Sequence, residues 1–380
     1  MEPFKNLINV GTVTSAGLHL QRAWTGFDRP RFESLANSGL DTLELKARML
    51  QLADALSATL PTDFNAACQV LETSLAPPLP MDAKGEPEGL TTAQASTGLA
   101  GWVIWSMGEF VARHGQHDVP RALACLHALT QRSTAEFAIR PFIQQQPDAV
   151  WPVLARWAND PSAHVRRLVS EGSRPRLPWG LRLQALVVDP APTLGLLQKL
   201  QDDPSSYVRR SVANHLNDIA KDHPDLVARW VKDHLVKATP ERSALLRHAS
   251  RSLIKQGHAP TLAAWGLASG LKGQAGLSLS AISASVGESI ALGVTLRSTS
   301  RQPQPLEIDY AVHHVRANGS TSPKVFKGWK LTLAAGEHRT LDKRHSLKPV
   351  TTRTLYPGLH RIELRVNGLT VAEAAFELKP

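Results

Sequence analysis

A helical repeat array followed by an all-β sandwich is the fold this sequence predicts, and three observations carry that expectation. Two stretches, DPSAHVRRLV (160–169) and DPSSYVRRSV (203–212), superpose at an offset of 43 residues, sharing Asp, Pro, Ser, Val, Arg, Arg and Val. Up to about residue 275 apolar residues recur at helical spacing, as in LELKARMLQLADAL (43–56). Beyond it, short segments alternate apolar and polar residues as half-buried strands do.

An offset of this size is the period of HEAT-like helical pairs, which stack into a solenoid. In each copy Asp is expected to cap the helix and Pro to take its first position. EFAIRPFI (136–143) reads as an earlier, degenerate copy and ALLRHASRSLIKQG (244–257) as a later one, while the loop APPLPMDAKGEPEG (76–89) separates the first helices from the next set. The linker is expected at LASGLKGQAG (267–276), so residues 1–266 form the HEAT-like domain and 277–380 the sandwich. Strands are expected over 289–297, 305–315, 325–333, 360–366 and 369–378, with hairpin turns at Asn318-Gly319 and Asn367-Gly368. About seven strands in that length fit an immunoglobulin-like sandwich, here without a cysteine pair. The predicted class is therefore multidomain: an α-helical HEAT-like repeat solenoid followed by an all-β immunoglobulin-like sandwich.

Net charge is +10 over 380 residues, and it is unevenly placed. Residues 1–139 hold 10 Lys/Arg against 14 Asp/Glu, residues 140–260 hold 18 against 11, and residues 277–380 hold 14 against 8. Such concentration points to a polyanion facing the middle and C-terminal parts. The N-terminus lacks an uninterrupted apolar segment of signal-peptide type, and no 18-residue apolar run occurs, so a cytoplasmic protein without membrane spans is expected. Two cysteines, Cys68 and Cys125, allow no metal-ligand cluster. With no HExxH motif, Gly-rich phosphate loop or GxSxG elbow, neither a metal nor another cofactor is expected.

Residues four apart share a helix face. Read so, Glu136 sits with Arg140, Arg167 with Glu171, Arg210 with Asn214 and Asp218, and Arg247 with Arg251 and Lys255. Val165, Val169, Val208, Val212 and Ile219 take the opposite, core-facing side. The inner faces then form a basic ladder with carboxylates embedded in it. Two prolines make RPRLPWG (174–180) a stiff loop that presents Trp179 at the rim, where it could stack on a base or sugar, and directs Arg174 and Arg176 toward phosphates. Ordinary i,i+4 ion pairs on a wet surface would give single stripes of this kind, and interhelix packing accounts for Trp102, Trp105, Trp151 and Trp157. A core or capping role is expected for His215.

TAEFAIRPF (134–142), VRRLVSEGSRPRLPWG (165–180) and YVRRSVANHLNDIAKDHPD (207–225) resemble signature runs of the AlkC-type DNA alkylation-repair glycosylases, HEAT-like-repeat enzymes related to the AlkD type. MEPFKNLI (1–8), GFDRPRF (26–32) and LELKAR (43–48) resemble the family as well, so the likeness covers most of residues 1–260. Some members carry a C-terminal immunoglobulin-like domain. The resemblance implies a monofunctional DNA-3-methyladenine glycosylase of base excision repair. Its substrates would be cationic alkylated bases, 3-methyladenine and 3-methylcytosine, in double-stranded DNA, cut without base flipping. It places the catalytic carboxylates at Glu136, Glu171 and Asp218 and the lesion-side aromatic at Trp179. Arg140, Arg166, Arg167, Arg174, Arg176, Arg209, Arg210, Asn214, Arg247 and Arg251 are the expected DNA-binding residues, and a monomer is expected. The loop at 80–95 is read as longer than in the family. A non-catalytic DNA-binding or scaffold protein on the same solenoid is the competing reading, since fold alone fixes no chemistry; an adaptor would instead need an apolar inner face.

Overall fold

The computed structural model describes residues 3–89, 97–350 and 353–380; the read loop extension at 90–95 lies outside the described residues. Two compact units divide the chain, one of residues 1–222 and 240–249, the other of 223–239 and 250–380. The secondary structure changes as expected, from helices to strands. The contacts, however, gather some helices with the strands rather than dividing at 267–276.

In the first unit α1 (Val10–Ala23), α2 (Arg29–Asn37), α3 (Leu45–Thr59) and α4 (Phe64–Thr73) precede α5 (Val103–His114) and α6 (Val119–Thr130). There follow α7 (Arg140–Gln145), α8 (Pro147–Trp157), α9 (Ala163–Gly172), α10 (Gln184–Val188), α11 (Ala191–Leu200) and α12 (Ser206–Ile219). After α13 (Pro224–Leu235), which belongs to the second unit, α14 (Pro240–Ala249) returns to the first. Helix α9 packs on α8 and α11, and α9, α12 and α14 stack in succession. This is the expected HEAT-like pairing. Val165, Val169, Val208, Val212 and Ile219 are buried as predicted, because each falls on the apolar side of a 3.6-residue period.

The repeat begins differently from the expectation. Asp160 and Asp203 do not cap their helices. Each carboxylate accepts the backbone N–H two residues on, from Ser162 at 2.8 Å and Ser205 at 2.9 Å, as in an Asx turn. The caps are Ser162 and Ser205, and the Ser205 side chain accepts from Val208 N. Pro161 and Pro204 therefore precede the helices instead of starting them.

In the second unit α13 packs on α16 (Ala259–Ala264), with α15 (Arg251–Gln256) before it. Strands β1 (Gly273–Leu279), β3 (Ser289–Ser298) and β6 (His338–Ser346) make one sheet. The other, in the order β2-β8-β7-β4-β5, holds β2 (Ser283–Ser285), β8 (Leu369–Lys379), β7 (Gly358–Val366), β4 (Gln304–Val315) and β5 (Thr321–Leu333). Ile290, Leu292, Val312, Ile362 and Phe376 join the sheets without a disulfide. At Asn367-Gly368 both residues have positive φ, 49° and 76°, and Val366 pairs with Leu369, the two-residue hairpin foreseen. Strand β1 starts inside the segment read as linker. Its glycines look like punctuation in sequence, yet Gly273 is where the strand passes so close to Arg297 O that a Cβ would lie 1.9 Å from it.

Candidate active site

Three elements of the first unit converge: the turn at 134–139 before α7, the C-terminal half of α9 with its following loop, and α12. Glu136 is not on a helix, contrary to the expected Glu136–Arg140 stripe; it lies in a turn, where the Ala135 N–H donates to Thr130 Oγ1 at 3.5 Å and Thr134 Oγ1 donates to Glu136 Oε2 at 2.7 Å. Arg167 of α9 reaches the same Oε2 and also Thr134 Oγ1. On its other side Arg167 lies 3.5 Å from Glu171 Oε1, four residues along the helix. Arg174, in the loop after α9, donates to Glu171 Oε1 at 2.5 Å and through Nε to Asp218 Oδ2 at 2.8 Å. Ser211 Oγ donates to Glu171 Oε2 at 2.6 Å, and Lys221 Nζ to Asp218 Oδ1 at 2.9 Å. The three expected carboxylates thus join one chain of alternating charge: Glu136, Arg167, Glu171, Arg174, Asp218, Lys221. Glu136, Glu171 and Asp218 are only 8%, 5% and 2% exposed.

Burial is the largest influence on Glu171 and opposes its charge. Arg167, Arg174 and the Ser211 hydroxyl outweigh it and hold the carboxyl below its ordinary range. Desolvation likewise opposes the charge of Arg167, but Glu136, the Tyr207 ring and Glu171 raise its pKa. Glu171 is therefore ionised at neutral pH, as a group must be to stabilise positive charge. His215 lies fully buried in α12 with Nδ1 2.9 Å from Ser170 O, the core role expected. Burial pushes it down to about 4, so its imidazole is neutral.

Several expected phosphate ligands are employed otherwise. Arg140 is wholly buried, and its guanidinium donates to the carbonyls of Gly172, Arg174 and Leu181, out of reach of any phosphate. Arg166 forms a two-point pair with Asp203 and donates to the carbonyls of Asp160 and Pro161. Arg209 makes the same backbone contacts one repeat later, to Asp203 and Pro204. The first Arg of each Val-Arg-Arg run is thus a clamp on its own Asp-Pro turn. Arg174 faces carboxylates rather than solvent. Arg247 closes α14 and Arg251 opens α15, so the expected continuous stripe through Lys255 is broken between two helices.

Arg210 and Arg176 are the more open cations. Arg210 pairs at two points with Glu86, at 2.7 and 2.6 Å, and lies 5.8 Å from the Tyr207 ring, which Arg167 flanks at 5.1 Å. Arg176 pairs with Asp222 at 2.6 Å through both nitrogens. Asn214 faces His248, Oδ1 to Nε2 2.8 Å. Trp179 is held out as expected, 67% exposed, with φ at 65°. A bulky residue in that region is strained by about 1–2 kcal/mol.

Lys221, the one lysine within the matched acidic runs, belongs to the site, as do Thr134, Tyr207, Ser211 and Glu86, which no motif marks in the sequence. Tyr207 and Ser211 had a legible signal, lying four apart on the α12 face that carries Asp218. Glu86 had none, since its partner lies 124 residues away.

Residues 129–253 match the family model described as DNA alkylation repair enzyme, and residues 274–380 match that of the C-terminal Ig-like domain of the uncharacterised protein YhaZ. The uncharacterized protein YhaZ of Bacillus subtilis (strain 168) is 33% identical over 370 residues, 97% of each chain. A solved structure, the Pseudomonas fluorescens alkylpurine DNA glycosylase AlkC bound to DNA containing an abasic site analog, superposes with a TM-score of 0.90 at 34% identity, covering all of both chains. Among the described residues no helix is long and apolar enough to cross a membrane.

Proposed function

The chain belongs to the AlkC-type DNA alkylation-repair glycosylases with a C-terminal immunoglobulin-like domain, and we propose that the ion-pair chain from Glu136 to Lys221 is its active site. The substrates are cationic alkylated bases in duplex DNA, 3-methyladenine and 3-methylcytosine, excised by hydrolysis of the N-glycosidic bond without flipping and without a lyase step. One observation carries this reading: Glu136, Glu171 and Asp218, which are dispersed along the sequence, meet in one buried network whose Arg174 begins the loop that carries the exposed Trp179.

A base that already bears positive charge leaves with the bonding pair and becomes neutral, so no acid need protonate it. Charge then builds on the deoxyribose, whose transition state is oxocarbenium-like. Glu171 and Asp218, fixed by arginines that need not reorganise, stabilise that charge; Glu136 supports them through Arg167. The attacking water forms the new bond at C1′, and its proton passes through a carboxylate to solvent. Glu171, held below the usual range, is a weak base, so its part is mainly electrostatic. Trp179 stacks at the lesion, while Arg176 and Arg210 supply phosphate contacts by exchanging carboxylate for phosphate.

Single-turnover release of free base from duplexes carrying either lesion tests the proposal. Asp218→Asn and Glu171→Gln should each slow release by about 10²–10³-fold while binding DNA at least as tightly as the parent, because negative charge has been removed. Parent protein that binds in a salt-sensitive manner yet releases neither base would leave a DNA-binding solenoid whose carboxylates are structural.

A further inference from the structure

We propose that Arg140 is a positioning residue for excision: it never meets DNA, and it holds the loop that carries Arg174 and Trp179 in the geometry the reaction uses. The inference rests on the glycosylase reading above and extends it to a residue outside the carboxylate chain.

Trp179 has a left-handed backbone with its side chain largely in solvent. A strained residue persists only when its surroundings over-determine it, and an exposed indole supplies little packing to do so. The restraint must come from the flanking backbone, and that is where Arg140 acts. Its Nη1 donates to Gly172 O at 2.8 Å and Arg174 O at 2.7 Å, where the loop begins, and its Nε donates to Leu181 O at 2.6 Å, where the loop ends. One planar group therefore ties both feet of the loop. Leu183 N to Pro175 O and Gly180 N to Leu177 O close it internally, at 3.2 Å each. Gly180 lies against the guanidinium, since a Cβ there would stand 3.3 Å from Arg140 Nε and 3.1 Å from Leu177 Cδ2.

Fixing the Arg174 carbonyl also fixes where the Arg174 side chain starts, and that side chain joins Glu171 to Asp218. Arg140 thus acts on both the aromatic and the carboxylates. Lysine, a point charge on a flexible stem, cannot span the three carbonyls as the rigid fork does.

The test is a double-mutant cycle in the full chain, read by single-turnover release of 3-methyladenine. Arg140→Lys should slow release tenfold or more, yet change affinity for unmodified duplex less than threefold. In a Trp179→Ala background the same change should cost a clearly smaller fold loss, because the part that acts through the indole is already gone and only the part that acts through Arg174 remains. Equal fold losses in both backgrounds would overturn the proposal. A second readout does not depend on activity. The fluorescence of Trp179, taken as the difference between each protein and its Trp179→Phe counterpart, should lose anisotropy and gain acrylamide quenching in Arg140→Lys; an unchanged difference signal would overturn the proposal. If Arg140→Lys does not fold, Gly180→Ala disturbs the same contact from the loop side without unpairing a buried cation, and should give the same rate and fluorescence changes. Parent protein that releases no base would sink the glycosylase reading alone, leaving the fluorescence to decide whether Arg140 holds Trp179.

Discussion

Replacing Arg174 by methionine would leave two buried carboxylates without the cation they share. The Arg174 side chain is 9% exposed, and those of Glu171 and Asp218 are 7% and 3%, so water cannot take its place. Removing one member of a buried ion pair costs about 3–5 kcal/mol. Arg167 remains 3.5 Å from Glu171 and Lys221 remains 2.9 Å from Asp218, which argues for the lower end, about 3 kcal/mol. For a unit of this size that lowers Tm by about 6–12 °C. The pH dependence identifies the cause. In the parent, burial opposes the Glu171 charge but Arg167, Arg174 and Ser211 depress its pKa. That stabilisation is present above the ordinary carboxylate value and is lost as pH falls through the lower folded value. In Arg174→Met, burial is opposed by fewer charges, and the folded pKa rises. A raised carboxylate penalises folding increasingly as pH climbs through it, and the penalty vanishes below the unfolded value. The difference in Tm should therefore be widest at neutral pH and narrow toward pH ~4. Calorimetry of both proteins across that range tests this. A gap under 2 °C at neutral pH, or one that stays constant on acidification, would refute the argument that Arg174 compensates buried charge; 2 °C is about the effect of under 1 kcal/mol here.

Trp179→Gly should relieve backbone strain and raise stability by up to about 1 kcal/mol in urea titrations, while slowing base release; a clear loss of stability would mean the indole is packed rather than presented. Glu86→Gln should free Arg210 and steepen the salt dependence of DNA binding by as much as about one phosphate contact, and an unchanged slope would place Arg210 away from the backbone. His215, neutral and held at about 4 by burial, binds its proton in the unfolded chain near pH ~6.5. It therefore withdraws about 3 kcal/mol of stability as pH falls from there through 4, and His215→Gln should flatten the stability profile in that window. Arg166→Met removes the two-point pair to the buried Asp203 and should destabilise by about 3–5 kcal/mol without changing the salt dependence of DNA binding, where a phosphate ligand would reduce it.

The chain order of helices and strands, the Val positions of the repeat helices and the Asn367-Gly368 turn are legible in sequence because each follows from local periodicity or from backbone preference at one or two residues. Glu136, Glu171 and Asp218 were legible as acids among basic runs and through a family resemblance, and the structure brings them together. The arginines were not separable in that way. Spacing places a Cα on a helix face, but a guanidinium reaches far beyond its own turn, and its partner is chosen by what the fold brings near. Arg166 finds Asp203 37 residues away, Arg210 finds Glu86 124 residues away, and Arg140 finds the Gly172 carbonyl 32 residues away. Two arginines with the same local pattern, the adjacent pair of each Val-Arg-Arg run, accordingly divide between a turn clamp and the charged face. The sequence alone settled where charge would gather on this protein; only tertiary packing decided which of those charges are buried as supports and which stay open, because desolvation and pairing depend on neighbours in space.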